Sequence, residues 1–192
     1  MNLPNKLSML RIILIPFMLF FYLATFVPYG KIIALAIFII AAITDMLDGK
    51  IARKYNLVTN LGKLLDPIAD KLLVVSALLL VVVDKTIPHP YGVIVAIIII
   101  GRELLISAFR QIAASKNFVM AADKLGKIKT ITQDIALPLL FLLSFVTYNV
   151  TINANVLLVI QIISYSLIGI ATLLTIISGA NYLIKNKEVL KD

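Results

Sequence analysis

Cysteine is absent from the 192 residues, which excludes disulfides, thiolate catalysis and Cys-ligated zinc. Histidine is nearly absent. The single one, His89, stands between Pro88 and Pro90 and reads as a turn residue, so a His-based nucleophile or a His-rich metal site has no material. No fixed-period repeat and no low-complexity tract is visible. Room for a separate soluble domain is also missing, because 61% of the chain is hydrophobic and the mean hydropathy is +1.03. A soluble domain is about half apolar. The formal net charge of +8 does not imply nucleic acid here, since a membrane chain acquires such a surplus from the bias of Lys and Arg toward its inner loops.

What is present is a series of apolar runs near the roughly 20 residues that a helix needs to cross a bilayer. Six can be drawn: Leu10–Val27, Ile32–Ala52, Leu61–Val83, Gly92–Ala114, Ile128–Tyr148 and Asn155–Ile184. Turn signals at Pro28-Tyr29-Gly30, Lys54-Tyr55-Asn56, Pro88-His89-Pro90 and 149–153 separate them. Inside a bilayer every backbone group must be satisfied within its own segment, so the expectation is one all-α, polytopic membrane domain over 1–192 with six transmembrane helices. The first run follows a polar stretch, is long, and lacks a small-residue cleavage pattern, so it reads as a retained helix and not a secretory leader. With the N-terminus in the cytoplasm, the outer loops hold only Lys31 and Lys85 of the 18 basic residues. Both termini and the basic tail Lys185-Asn186-Lys187 then face the cytoplasm, at the cell membrane.

Charge inside such a chain is costly and marks function. Four aspartates interrupt the second and third runs. Asp45 and Asp48 are i and i+3, and Asp66 and Asp70 are i and i+4, so each pair shares a helix face. A short connection predicts an antiparallel hairpin that brings the two acidic faces together. Arg53, Lys63 and Lys71 are available to pair with them, and plain interhelical ion pairing is the structural alternative. Divalent cations compensate such a cluster most simply. Oxygen-only ligation suits Mg²⁺ or Mn²⁺, and two ions about 3.5–4 Å apart suit phosphoryl chemistry. Gly49, Ala52 and Gly62 leave room for a backbone or a flat ligand, and Arg53 is placed to meet a phosphate.

The string Asp45-x-x-Asp48-Gly49-x-x-Ala52-Arg53 followed by Gly62-x-x-x-Asp66-x-x-x-Asp70 resembles the signature of the CDP-alcohol phosphatidyltransferases, with every fixed position present over residues 45–70. The resemblance implies transfer of a phosphatidyl group from CDP-diacylglycerol to an alcohol, with release of CMP. It implies that Asp45, Asp48, Asp66 and Asp70 hold two metal ions, and that Asp70 also serves as general base. Asp48, Gly49, Ala52 and Arg53 would line the cytidine-diphosphate site, with Gly62 beside them. It also implies a homodimer, without naming the helix that mediates it.

The acceptor must be read from other residues. Arg102 and Arg110, with Glu103, lie in the fourth run, and the two arginines fall within about 80° of each other around a helix. Lys124, Lys127 and Lys129 open the fifth run around Gly126, where a helix N-terminus favours a bound phosphate and cations suit the helix dipole poorly. Membrane-surface charge is the plain alternative for these lysines. Glu103 follows Arg102 directly and, pointing elsewhere on the helix, is not an obvious partner for it. Together with Pro4-Asn5-Lys6-Leu7-Ser8-Met9-Leu10-Arg11 and Gly126-Lys127-Ile128-Lys129-Thr130, these strings resemble the bacterial phosphatidylglycerophosphate synthase branch of the family. That branch implies sn-glycerol 3-phosphate as the acceptor. Inositol phosphate, serine and phosphatidylglycerol are the rival acceptors, and a cation transporter is the rival from another class. Asn5 and Arg11 read either as neighbours of the nucleotide or headgroup, or as an interfacial cap and a snorkelling anchor. Asp84 and Lys85 read as solvated outer-turn residues. Asp134 is expected to pair with an acceptor-site cation, and Gly169 and Gly179 to mark a packing or dimer face.

Overall fold

A computed structural model of the chain describes residues 2–55, 59–116, 118 and 124–190, without the side chains of 46–54, 60, 63, 188 and 190. Among the described residues the fold is all-α. Six long helices run in order: α1 (Leu3–Leu23), α2 (Gly30–Lys54), α3 (Asn60–Val83), α4 (Tyr91–Ser115), α5 (Lys124–Asn149) and α6 (Ala154–Lys185). A single 3₁₀ turn, η1 (Lys187–Leu190), follows them. All six expected helices form, and their ends differ from the apolar runs for local reasons. Asn2 caps α1 by accepting the Asn5 N–H at 3.2 Å, and Pro4 sits in the first turn, so the helix begins in the polar stretch before Leu10. Helix α5 likewise begins at Lys124 and carries its lysines on its first turns.

The bundle is built for an apolar solvent. Phe17, Phe20, Ile97, Leu104, Ile162 and Leu173 are more than half exposed on the outer faces of α1, α4 and α6. Helices α1, α4, α5 and α6 are long and apolar enough to cross a membrane. Inside, Met18, Phe38, Leu78, Ile99, Leu137, Leu140 and Phe141 are almost fully buried, with the Phe141 ring tilted against Tyr22 at 4.8 Å and against Phe38 at 5.7 Å between ring centroids. Alanines at 34, 41, 77 and 136, all with no exposed surface, let the helices approach closely. At the α1–α2 corner Gly30 is obligatory, because a Cβ there would lie 2.3 Å from the Phe21 carbonyl oxygen.

One arrangement differs from the expected hairpin. Among the described residues α2 and α3 pack chiefly on α1, and only slightly on each other. The acidic helices therefore meet across the N-terminal turns of α1. The alternation of the helices collects the starts of α1, α3 and α5 and the ends of α2, α4 and α6 at one end of the bundle. The signature residues and the predicted acceptor cations lie at this signature end.

Candidate active site

The first turns of α1 present Asn5, Ser8 and Arg11 at intervals of three, which keeps them on one face. That face is buried: Asn5 is 4% exposed, and Ser8 and Arg11 are not exposed at all. Arg11 Nη1 donates to Asp45 Oδ1 on α2, and the Ser8 hydroxyl donates to Asp66 Oδ1 on α3. So α1 supplies the positive charge and the hydroxyl that hold two carboxylates of different helices at one level. Arg11 is thus neither a snorkelling anchor nor exposed to a headgroup, since Asp45 draws its guanidinium into the bundle. Asn5 does not end the helix either. Its Oδ1 accepts the Thr59 hydroxyl at 3.0 Å, and Thr59 in turn caps α3 by accepting the Gly62 N–H at 3.0 Å. A Cβ on Gly62 would stand 2.8 Å from Asn5 Oδ1, so this glycine admits the α1 side chain to the start of α3.

Beside these residues opens a cavity of about 730 Å³. Asp45, Asp66 and Asp70 line one side, together with Lys71. Arg102, Arg110 and Gln111 of α4 and Gly126, Lys127 and Thr130 of α5 line the other, with Tyr182 of α6. One cavity thus carries an acidic wall and a basic wall. The acidic wall offers oxygen donors only, which is the donor chemistry of Mg²⁺ or Mn²⁺. Among the described residues no three acidic side chains converge on a common point, and Asp48 lies outside the described side chains, as do Gly49, Ala52 and Arg53.

The decisive comparison is with the family. The model of the CDP-alcohol phosphatidyltransferases matches residues 1–177. This chain belongs to that family. Its members are generally dependent on a divalent cation, in keeping with the oxygen-lined acidic wall. Curated relatives carry the name CDP-diacylglycerol–glycerol-3-phosphate 3-phosphatidyltransferase. The one from Bacillus subtilis is 40% identical over 99% of this chain and 97% of its own length. The one from Rickettsia bellii is 37% identical over 94% of this chain and 93% of its own, and that from Escherichia coli is 42% identical over 71% and 74%.

In this phosphatidyltransferase the basic wall is organised by α6, which the apolar pattern hides. Arg102 Nη2 donates to Ser178 Oγ at 3.3 Å, and Arg110 Nε donates to the Tyr182 hydroxyl at 3.1 Å. The Arg110 guanidinium also lies 5.3 Å from the Tyr182 ring centroid. Gly179 marks a packing position within the bundle, because a Cβ there would come within 3.1 Å of Arg102 Cγ, whereas Gly169 faces open space. Ser178, Gly179 and Tyr182 fall at i, i+1 and i+4, a spacing that puts all three along one side of the helix.

Arg102 does pair with Glu103, contrary to the expectation from their adjacency. Its Nη1 reaches Glu103 Oε1 at 3.3 Å, which the long guanidinium can do by folding back around the helix. Lys129 is placed behind the basic wall rather than on it. It is 2% exposed and its ammonium donates to the same Glu103 oxygen. Lys124 is exposed at the start of α5 and does not line the cavity. Asp134 lines a second, mainly apolar groove of about 490 Å³ between α2, α3 and α5, which reaches Asp45 and Asp70 at one end. Among the described residues no salt bridge joins it to a cation of the acceptor set, and the Lys129 ammonium bonds Glu103 instead.

Asp84 is not solvated. At the opposite end of the bundle Lys31 Nζ donates to both its oxygens, at 3.0 and 2.9 Å, while Tyr22 and Thr86 donate at 3.1 and 3.0 Å and Ser144 donates as well. Lys31 also sits 3.7 Å from the Tyr148 ring centroid.

Proposed function

We propose that this phosphatidyltransferase moves the phosphatidyl group of CDP-diacylglycerol to sn-glycerol 3-phosphate, yielding phosphatidylglycerophosphate and CMP. The observation that carries the reading is the single cavity with opposed walls. A donor pyrophosphate with its counter-cations suits the carboxylates, and an acceptor that carries its own phosphate suits the cations facing them. A zwitterionic acceptor without a phosphate, such as serine, would bring no net negative charge to Arg102, Arg110 and Lys127.

In this reading Asp45, Asp48, Asp66 and Asp70 hold two divalent cations, Mg²⁺ or Mn²⁺. Divalent cations held there would supply charge neutralisation to the donor phosphates and the leaving group. Arg11 and Ser8 keep Asp45 and Asp66 in register from the α1 side. Asn5, Thr59 and Gly62 fix the start of α3, and with Asp48, Gly49, Ala52 and Arg53 they form the cytidine-diphosphate site. Arg102, Arg110 and Lys127 bind the acceptor phosphate, with Lys124 at the entrance and Lys129 behind. This leaves a free hydroxyl turned toward the acidic wall. Asp70 takes the proton of that hydroxyl as its oxygen bonds to the phosphorus beside diacylglycerol. The bond from that phosphorus to the oxygen of CMP breaks, and CMP leaves with the electron pair. The signature end faces the cytoplasm, where glycerol 3-phosphate enters and CMP departs. With six crossings both termini lie on that side too, in keeping with the distribution of Lys and Arg. The protein works as a homodimer, as its family likeness suggests.

The test is release of CMP by the purified chain from CDP-diacylglycerol in mixed micelles with Mg²⁺, across a panel of acceptors. Turnover with glycerol 3-phosphate well above that with serine, inositol phosphate or phosphatidylglycerol is expected. Preference for serine would overturn the basic-wall assignment. Metal flux in liposomes without CMP release would favour a transporter.

A further inference from the structure

A carboxylate inside a phosphate-binding wall is an apparent liability, because it repels the ligand that its neighbours attract. Glu103 is such a group. It lines the main cavity among Lys71, Arg102, Arg110 and Lys127. Its Oε1 receives two cations at once, Lys129 from α5 and Arg102 from its own helix. The three side chains are 21%, 2% and 14% exposed, so the hub is removed from bulk water.

The two cations differ in what they can reach. Lys129 opens onto a separate space of only about 30 Å³, bounded by Asp70, Val74, Ile99 and Gln133 among others. That is room for about one water, not for a phosphate. A buried ammonium in such a place needs a counter-ion, and Glu103 provides it. The pair is then close to neutral as a unit, and the charge of Arg102 is left for a ligand in the cavity. Arg102 in turn is held at two points, Glu103 through Nη1 and Ser178 through Nη2, since its buried Nε has no partner among the described residues. Losing one of two points frees the planar fork to rotate away from the cavity.

We infer that Glu103 is a positioning residue for the acceptor: bridged to the buried Lys129, it fixes the Arg102 guanidinium toward the acceptor phosphate, and Lys129 serves as its counter-ion without touching substrate. The inference rests on the reading that glycerol 3-phosphate binds at the basic wall. It sets geometry against simple charge. If Glu103 were only a neighbouring anion, its removal would strengthen acceptor binding. If it braces Arg102, its removal weakens it.

The experiment is a double-mutant cycle on initial rates of CMP release by the full chain in micelles, with glycerol 3-phosphate and CDP-diacylglycerol titrated separately. Arg102→Gln is expected to raise the KM for glycerol 3-phosphate about tenfold or more, as loss of a hydrogen bond to a charged group does. Glu103→Gln is expected to raise it about tenfold, with kcat and the KM for CDP-diacylglycerol within about twofold of wild type. The double variant should be no worse than Arg102→Gln alone, because Glu103 acts through that residue. The same cycle in a Lys129→Met background leaves no buried cation unpaired, so it reads the effect even if Glu103→Gln alone fails to insert. An unchanged or lowered acceptor KM in the Glu103 variants, or additive losses in the double variant, would overturn the positioning role while leaving the site intact. An unchanged acceptor KM in Arg102→Gln would remove the acceptor from this wall, and the inference with it.

Discussion

Two polar clusters occupy opposite ends of one apolar bundle, and they spend their charge differently. At the outer-turn end Asp84 is surrounded by Lys31, Tyr22, Thr86 and Ser144, and Tyr148 donates to its backbone carbonyl at 3.1 Å. One anion meets one cation, and hydroxyls complete the shell. At the signature end four carboxylates, Asp45, Asp66, Asp70 and Glu103, share a cavity with four cations, Lys71, Arg102, Arg110 and Lys127. The first cluster clamps α1, α2, α3 and α5 and is finished in the folded protein. In the proposed reading the second is completed by ligands of both signs. Charge gathered within an apolar bundle is a cost to the fold, which the proposed reaction explains.

Replacing one charged residue at each end separates these roles most sharply. Asp66→Asn is expected to lower CMP release by about a thousandfold or more, since the proposed reading makes this carboxylate a metal ligand. It should still insert, and its unfolding temperature in metal-free detergent should match or exceed that of wild type. Wild-type turnover in this variant would end the assignment. Lys31→Met should do the reverse. Stranding the mostly buried Asp84 carboxylate costs about 3 kcal/mol, roughly a 5–10 °C fall in Tm, while kcat at a temperature where the variant is folded stays near wild type. A selective loss of kcat in Lys31→Met would mean that the two ends are coupled. A finer cut is Gly179→Ala, whose new methyl presses on Arg102 Cγ. An off-rotamer arginine costs about 0.5–1 kcal/mol, so the glycerol 3-phosphate KM should rise about threefold with Tm unchanged, measured by the same CMP assay.

How much of this the sequence discloses depends on the kind of signal. The six helices follow from the apolar runs, because a bilayer leaves the backbone no other choice. The four aspartates are visible as charges spaced for one face in a hydrophobic setting. What α1 does with them is not, since Asn5 and Arg11 can be read as interfacial residues until the helix is seen to start at Leu3 and to pack on both α2 and α3. The signal was available in the three-residue spacing of Asn5, Ser8 and Arg11, which is a buried face and not a cap. The braces on α6 were harder to find. Ser178, Gly179 and Tyr182 are ordinary residues of an apolar helix, and their value comes from which arginines they touch. The pairing of Lys129 was also hidden. A lysine near a helix start suggests a ligand, and only the position of Glu103 on the neighbouring helix shows that the charge is already answered. Side-chain reach misled in the same way at Arg102, where adjacency in sequence proved no bar to contact with Glu103.

The central claim is that the two walls of one cavity serve two different substrates. It is tested most directly by steady-state kinetics of Arg110→Gln, a residue that Tyr182 holds at the basic wall. CMP release is followed while glycerol 3-phosphate and CDP-diacylglycerol are varied in turn. The account predicts a KM for glycerol 3-phosphate raised about tenfold or more, with the KM for CDP-diacylglycerol within about twofold of wild type. Equal increases for both substrates, or an increase confined to CDP-diacylglycerol, would contradict it.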